Sequence, residues 1–188
     1  MENLTDIKEA KKAIRREISR IKKTVPAQLK QDLSDIVLAK VEELPEFKNA
    51  GTILLYYALT DEVQTEMFLK KWCKKEKRLV LPVVDGENLI LKEYLPNMVE
   101  QGYQSILEPT GTSVIHPSKI ELAIVPGVAF DAYCNRLGRG KGFYDRLLPH
   151  IHCKVIGLGY HFQIVDKIPV ESFDRPLDMV ITDIAIFS

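Results

Sequence analysis

The chain has 188 residues, 46% hydrophobic and 28% charged, with 26 Lys plus Arg balanced by 26 Asp plus Glu. This composition is globular and the length suits one domain over 1–188, while zero formal net charge excludes a broad electrostatic pull toward nucleic acid or an anionic membrane. No run of about 18 apolar residues is present, and the first ten residues lack the apolar core of a secretory signal. Cys73, Cys134 and Cys153 leave an odd count without paired spacing, so free thiols in a reducing, cytoplasmic setting are expected.

From Asp6 to Lys23, Ile7, Ile14, Ile18 and Ile21 recur at helical spacing, with Thr5 as an N-cap. Lys11 and Arg15, four residues apart, are neighbours on another face of that helix, as an anion site or as a solvated basic face. Pro26 suits the first turn of a second helix to Val41. The run Thr52 to Ala58 reads as a buried strand. It delivers Asp61 and Glu62 to the turn before a helix over Thr65 to Lys75, where the carboxylates serve a ligand or simply favour the helix N-terminus.

Arg78 to Val84 and Leu89 to Tyr94 form a hairpin about Asp85-Gly86. Leu95 to Lys119 shows no clear period and reads as a long surface connection, a candidate lid. Glu121 to Val125 is a strand, Gly142 to Leu148 a helix start, Lys154 to Gly159 a strand, Phe162 to Asp166 a helical turn, and Met179 to Thr182 a last strand. This alternation predicts an α/β fold.

Between strand and helix lies RLGRGKG (136–142), three glycines two apart with Arg136, Arg139 and Lys141 before or between them. Glycines let backbone N–H groups approach an anion, and cations complement its charge, so the segment reads as a phosphate cradle; the competing reading is a mobile basic loop. It lacks the GxxxxGK[ST] of a P-loop, because Gly142 follows Lys141 and no hydroxyl is placed to hold Mg²⁺. Asp145 is a candidate ligand for that ion, or else helix N-terminal charge. Phe143 and Tyr144 offer a stacking surface or core aromatics. His150, His152 and Cys153 lie close along the chain without a clear fourth zinc ligand.

PGVAFD (126–131) followed by NRLGRGKGFYD (135–145) closely resembles the signature of the 5-formyltetrahydrofolate cyclo-ligase family, also called methenyltetrahydrofolate synthetase. AKKAIR (10–15) resembles the family's N-terminal basic helix, TDEV (60–63) with Thr65 and Glu66 its folate-side turn, and Gln163, Pro169, Asp174 and Asp178 its C-terminal pattern. Cys134 departs from the pattern, standing where the family carries a turn glycine.

The resemblance implies a single three-layer α/β/α domain with a mainly parallel sheet, like the ribose-5-phosphate isomerase and CoA-transferase group. It implies ATP-dependent cyclisation of 5-formyltetrahydrofolate to 5,10-methenyltetrahydrofolate, with Mg²⁺, through phosphorylation of the formyl oxygen. Lys11, Lys12, Arg15, Arg136, Gly138, Arg139, Gly140, Lys141 and Gly142 would hold the nucleotide, with Arg139 and Lys141 catalytic. Asp145 and Asp174 would bind Mg²⁺, Tyr57 and Glu62 the folate, and Phe143 and Tyr144 the junction of the two substrates. A monomer acting on this small molecule, without nucleic acid or membrane, is the expectation. The rival readings are a kinase or ligase for another small substrate, and a nucleic-acid module using Arg136, Arg139, Lys141 and Arg146 with Phe143 and Tyr144.

Overall fold

In the computed structural model, which describes residues 4–73, 75, 77–103, 106–171 and 174–188, the chain opens with helix α1, Leu4–Thr24. Thr5 is thus inside the helix rather than capping it, and its side chain lies outside the described residues. Lys11, Ile18 and Lys22 are buried, with Ile14, Arg15 and Ile21 half-buried beside them. Those positions repeat at steps of three and four, so one inward face carries both the apolar residues and the cations. Ile18 packs on Val128, Ala129, Leu137 and Ile168 in a small cluster of its own.

Helix α2, Ala27–Glu43, has Pro26 at its N-cap rather than in its first turn. It runs two residues past the expected end and stops at Leu44, because the residue before a proline is disfavoured in helical geometry. Pro45 then opens α3, Pro45–Asn49, an element that the sequence reading lacked; proline suits a first helical position, where its missing N–H costs nothing.

Strand β1 covers only Thr52–Leu54 of the expected Thr52 to Ala58, although Leu55 N–H still reaches Val80 O at 2.9 Å. Beyond it the chain leaves the sheet, because Thr65 Oγ1 donates to Tyr56 O at 2.6 Å in place of a neighbouring strand. Helix α4 is Glu66–Trp72, shorter at both ends than expected. Strands β2, Arg78–Asp85, and β3, Asn88–Glu93, form the expected hairpin, with Gly86 at φ 60° in its turn.

The segment 95–119 is not the structureless connection expected. It contains a hairpin of β4, Val99–Gln101, and β5, Leu107–Pro109, then β6, Val114–Ile115, which adds an edge to the main sheet. Strand β7, Leu122–Pro126, precedes a two-stranded ribbon, β8 Ala129–Phe130 and β9 Arg136–Leu137. Helix α5, Phe143–Leu147, is followed by β10, Lys154–Leu158, a 3-10 turn at His161–Gln163, β11, Met179–Ile181, and β12, Ile186–Phe187.

The main sheet has the order β12-β11-β10-β7-β1-β2-β3-β6. Strands β11, β10, β7, β1 and β2 are parallel; β12 at one edge and β3 near the other run antiparallel to them, and the edge strand β6, antiparallel to β3, runs with them again, so the sheet is mixed around a parallel centre. Side chains alternate between faces along each strand. Ile53, Leu79, Leu81, Leu122, Ile124 and Ile156 meet α2, α3 and α4 on one face; Leu54, Val80, Ala123, Val125 and Val155 meet Phe130, Leu147, Leu148 and Ile151 on the other. Burying both faces explains why the central strands read as continuous apolar runs. Their carboxyl ends open toward the loops that build the site.

Candidate active site

One cleft gathers the turn after β1, the ends of β2 and β3, the β4–β5 hairpin and the segment from Arg136 to Asp145. Tyr57, Glu62, Arg136, Gly138, Arg139, Gly140, Lys141, Gly142, Phe143, Tyr144 and Asp145 all line it, so residues nearly 90 positions apart in sequence share one wall space.

The glycine segment takes the backbone shapes that its composition allows. Gly140 and Gly142 have φ of 92° and 71°, in the left-handed region where a Cβ is strained, and Gly142 caps α5. Arg15 reaches in from α1, its Nε donating to Gly138 O at 2.8 Å. Lys141 is exposed, and its side chain forms no ion pair with a described residue.

The other cations are already engaged. Arg136, with a side chain only 5% exposed, donates to Asp145 Oδ1 at 2.6 Å and to Pro126 O at 3.4 Å, and its guanidinium lies 5.3 Å from the Tyr144 ring centre. Arg139 turns toward the other wall: Nη2 donates to Asp61 Oδ1 at 2.6 Å and to Glu62 Oε1 at 2.9 Å, and Nε to the same Glu62 oxygen at 3.2 Å. Burial alone would lower the Arg139 pKa, but Glu62 and Asp61 raise it.

The turn after β1 is held by its own side chains. Glu62 Oε2 accepts from Leu59 N–H at 3.0 Å, Gln64 Nε2 donates to Leu59 O and Glu62 O at 2.7 Å each, and Tyr160 Oη donates to Glu62 O at 2.7 Å. Ser34 Oγ accepts from Gln64 N–H at 2.9 Å and lies 3.1 Å from Tyr160 Oη. Tyr57 faces the cleft with its phenol pKa pushed up to about 12, by burial first and then by Glu66. Burial, then Glu62, likewise pushes the Tyr144 phenol up.

Not every expected residue reaches the cleft. Lys11 binds Glu171 Oε2 at 2.9 Å and Asp174 Oδ2 at 2.5 Å, so Asp174 neutralises a lysine behind the cradle, and neither residue lines the cleft. Lys12 is exposed, 3.3 Å from Glu9, in a separate shallow groove with Arg15, Arg16, Ser19, Arg20 and Lys23. Lys11 and Arg15 are therefore not a solvated basic face apart from the apolar stripe: both point inward with Ile18 and act as anchors, one to carboxylates and one to a cradle carbonyl.

Several lining residues went unread in the sequence. Tyr103, Ile106 and Glu108 come from the β4–β5 hairpin, and Tyr103 meets Phe143 edge-on with ring centres 5.9 Å apart. An aromatic amid Pro, Gly and Ser residues was the available signal. Pro82, Val84 and Leu89 supply the apolar side from strands whose pattern resembled ordinary core.

Among the described residues, no group of three or more His, Cys, Asp or Glu side chains could hold a metal ion, which leaves His150, His152 and Cys153 without a preformed zinc site. Nor is any described helix long and apolar enough to cross a membrane. Cys134 stands at φ 61°, the left-handed geometry a glycine adopts freely, with its thiol buried and its pKa raised by that burial. The turn is kept by buried Asp131, whose carboxylate accepts from the N–H groups of Tyr133, Asn135 and Ile168 and from Asn135 Nδ2, at 2.9–3.0 Å.

Comparison with known proteins agrees with this geometry. The model of the 5-formyltetrahydrofolate cyclo-ligase family matches residues 7–183. The 5-formyltetrahydrofolate cyclo-ligase of Haemophilus influenzae is 32% identical, the match covering 87% of this chain and 92% of the relative; that of Escherichia coli K12 is 29% identical, covering 86% and 93%. Among solved structures, the Aquifex aeolicus 5,10-methenyltetrahydrofolate synthetase superimposes with a TM-score of 0.86 at 31% identity, covering 94% of this chain and 91% of that one. The Mycoplasma pneumoniae enzyme gives 0.75 at 27%, covering 92% and 98%. A match running through both cleft walls, at this identity and coverage, means that the chain belongs to the 5-formyltetrahydrofolate cyclo-ligase family.

Proposed function

We propose that the cleft carries out the family reaction with ATP phosphates against the glycine segment and folate against the β1 turn. The protein is an ATP-dependent 5-formyltetrahydrofolate cyclo-ligase, forming 5,10-methenyltetrahydrofolate. The observation that carries the division of roles is the direct contact of Arg139 with Glu62: cation wall and carboxylate wall meet at one point.

A formamide oxygen leaves poorly. Transfer of the ATP γ-phosphoryl group onto it produces a phosphate that departs when N10 attacks the formyl carbon, so the protein has chiefly to align the groups and neutralise charge. Lys141 and Arg139 do this at the transferring phosphoryl group. Arg136, Gly138, Gly140 and Gly142 shape the nucleotide wall, with Arg15 bracing it from α1; Lys11 reaches the nucleotide only if its pairs with Glu171 and Asp174 open, and Lys12 only from the outer groove. Glu62 accepts from the pterin edge, Tyr57 contacts the ring system, and Phe143 and Tyr144 stand between the substrates.

Asp145 fits a Mg²⁺ ligand: it lines the cleft, is 35% exposed, and uses one oxygen for Arg136, leaving acceptor capacity on the other. Mg²⁺ binds through one or two carboxylates with phosphate and water completing its shell, and it would neutralise phosphate charge here. Asp174 contributes through Lys11, its ion-pair partner, and reaches the ion only if that pair opens.

The two-sided covering of the sheet supports grouping the fold with the ribose-5-phosphate isomerase and CoA-transferase type. The β4–β5 hairpin, which supplies Tyr103 to the cleft, acts as its cover. We infer a cytoplasmic protein that is monomeric; sedimentation of the purified chain checks the monomer. Mixing protein, MgATP and 5-formyltetrahydrofolate should produce the absorbance of the methenyl product; folded protein without that signal contradicts the assignment.

A further inference from the structure

Helix α1 buries a lysine where a methionine would fill the same space. Lys22 is 3% exposed, on the same inward face as Ile18, and its Nζ lies 3.2 Å from Asp61 Oδ2. Burial pushes the ammonium pKa down, against the pull of Asp61 and Glu62. A buried charge is tolerated only when it is paired, and removing one partner exposes the cost of the other.

The partner is itself shared. Asp61 Oδ2 faces Lys22 while its Oδ1 accepts from Arg139 Nη2 at 2.6 Å, and that same nitrogen reaches Glu62 Oε1 at 2.9 Å. Two cations and two carboxylates therefore form one network. Its inner members, Arg139 and Glu62, line the cleft; its outer members, Lys22 and Asp61, do not.

We propose that Lys22 and Asp61 are positioning residues for Arg139: in the empty cleft Asp61 holds the guanidinium on Glu62, and pterin binding at Glu62 releases it to the ATP phosphates while Lys22 stays as counter-ion to Asp61. The inference rests on the assignment of Glu62 to folate and Arg139 to phosphate made above. Its physical basis is charge balance. Once Arg139 leaves, the turn keeps two carboxylates; the pterin donors satisfy Glu62, and Lys22 satisfies Asp61. The two substrates consequently favour each other's binding, since each favours the same released state.

Substitutions at the two outer residues push in opposite directions. Asp61→Asn weakens the hold on Arg139, whereas Lys22→Met leaves Asp61 to grip Arg139 alone. A merely structural role would weaken both ligands in both variants. Calorimetry of a non-hydrolysable ATP analogue with Mg²⁺, with and without 5-formyltetrahydrofolate, separates these cases on the full chain. In the wild type, folate should tighten analogue binding by roughly 5- to 10-fold, toward the low end of typical coupling.

Asp61→Asn should bind the analogue more tightly without folate, with the coupling falling toward one. Lys22→Met should bind it more weakly without folate, and adding Asp61→Asn should restore the affinity. Shifts in the same direction, or unchanged coupling in Asp61→Asn, overturn the proposal. Asp61→Asn strands the buried Lys22 ammonium, so where that variant lowers the melting temperature the double variant, which removes both charges, tests the latch: its coupling should also fall toward one. Unchanged folate affinity in Glu62→Gln would instead remove the underlying site assignment, whereas weakened folate binding with silent Lys22 and Asp61 variants removes only the latch.

Discussion

The two walls of the cleft follow opposite plans. The β1 turn is prebuilt: Glu62 is buried, and its carbonyl, its carboxylate and the neighbouring amides are tied to Leu59, Gln64, Ser34 and Tyr160. The glycine wall is held at its ends, by Arg136 on Asp145 and Arg15 on Gly138 O, while Lys141 between them stays exposed and unpaired among described residues. Recognition of a rigid ring system gains from fixed donors and acceptors, which lose little freedom on binding. A lysine ammonium is a compact charge on a flexible stem, which suits the proposed role at a phosphoryl group that changes bonds during the reaction.

That contrast is broken most severely at Lys141. Lys141→Ala should lower kcat by about 10²–10³-fold, the scale for removing one group aimed at transition-state charge, and leave the melting temperature unchanged. Steady-state assay with a thermal melt checks both; wild-type turnover at saturating and at low ATP would remove the phosphate role. On the rigid wall, Glu62→Gln should weaken folate binding by about 1.5–3 kcal/mol, as expected for hydrogen bonds to a charged group, without weakening nucleotide binding. Titration of each ligand separately decides it.

A smaller effect should follow from loosening the support beneath Glu62. Tyr160→Phe deletes the donor to Glu62 O and leaves Ser34 Oγ without its 3.1 Å neighbour, both in a buried setting. Stability should fall by about 1–3 kcal/mol and folate KM should rise while ATP KM holds. Denaturant melts and paired KM measurements read the two parts. The smallest change is expected at Cys134. Cys134→Gly relieves about 1 kcal/mol of left-handed backbone strain but loses a buried side chain, so stability stays close to wild type, whereas Cys134→Ala keeps the strain and should be the less stable variant. Comparing their melts tests whether the glycine turn is tolerated here for its backbone alone.

Much of this was legible in the residues. The helix periods, the apolar parallel strands and the Gly-Arg-Gly-Lys-Gly segment are local patterns, and local patterns report themselves. The reading erred where a distant partner decides. The run after Thr52 has the composition of a long strand, but Thr65 takes the carbonyl of Tyr56 and the strand stops at Leu54. The short pieces from Val99 to Ile115 become strands only because each finds a partner edge. Tyr103 becomes a cleft residue because that hairpin folds over Phe143.

The sequence by itself determined the family, the chemistry and the glycine wall of the cleft, because glycine spacing and fixed charge carry their meaning in order along the chain. Only the tertiary structure decided what each charge is doing. Lys11, Lys22, Arg136 and Arg139 look alike in sequence as free cations, yet each is committed to a carboxylate many positions away. An ion pair depends on distance in space and on how far water is excluded, and neither is written in the spacing of residues along a chain.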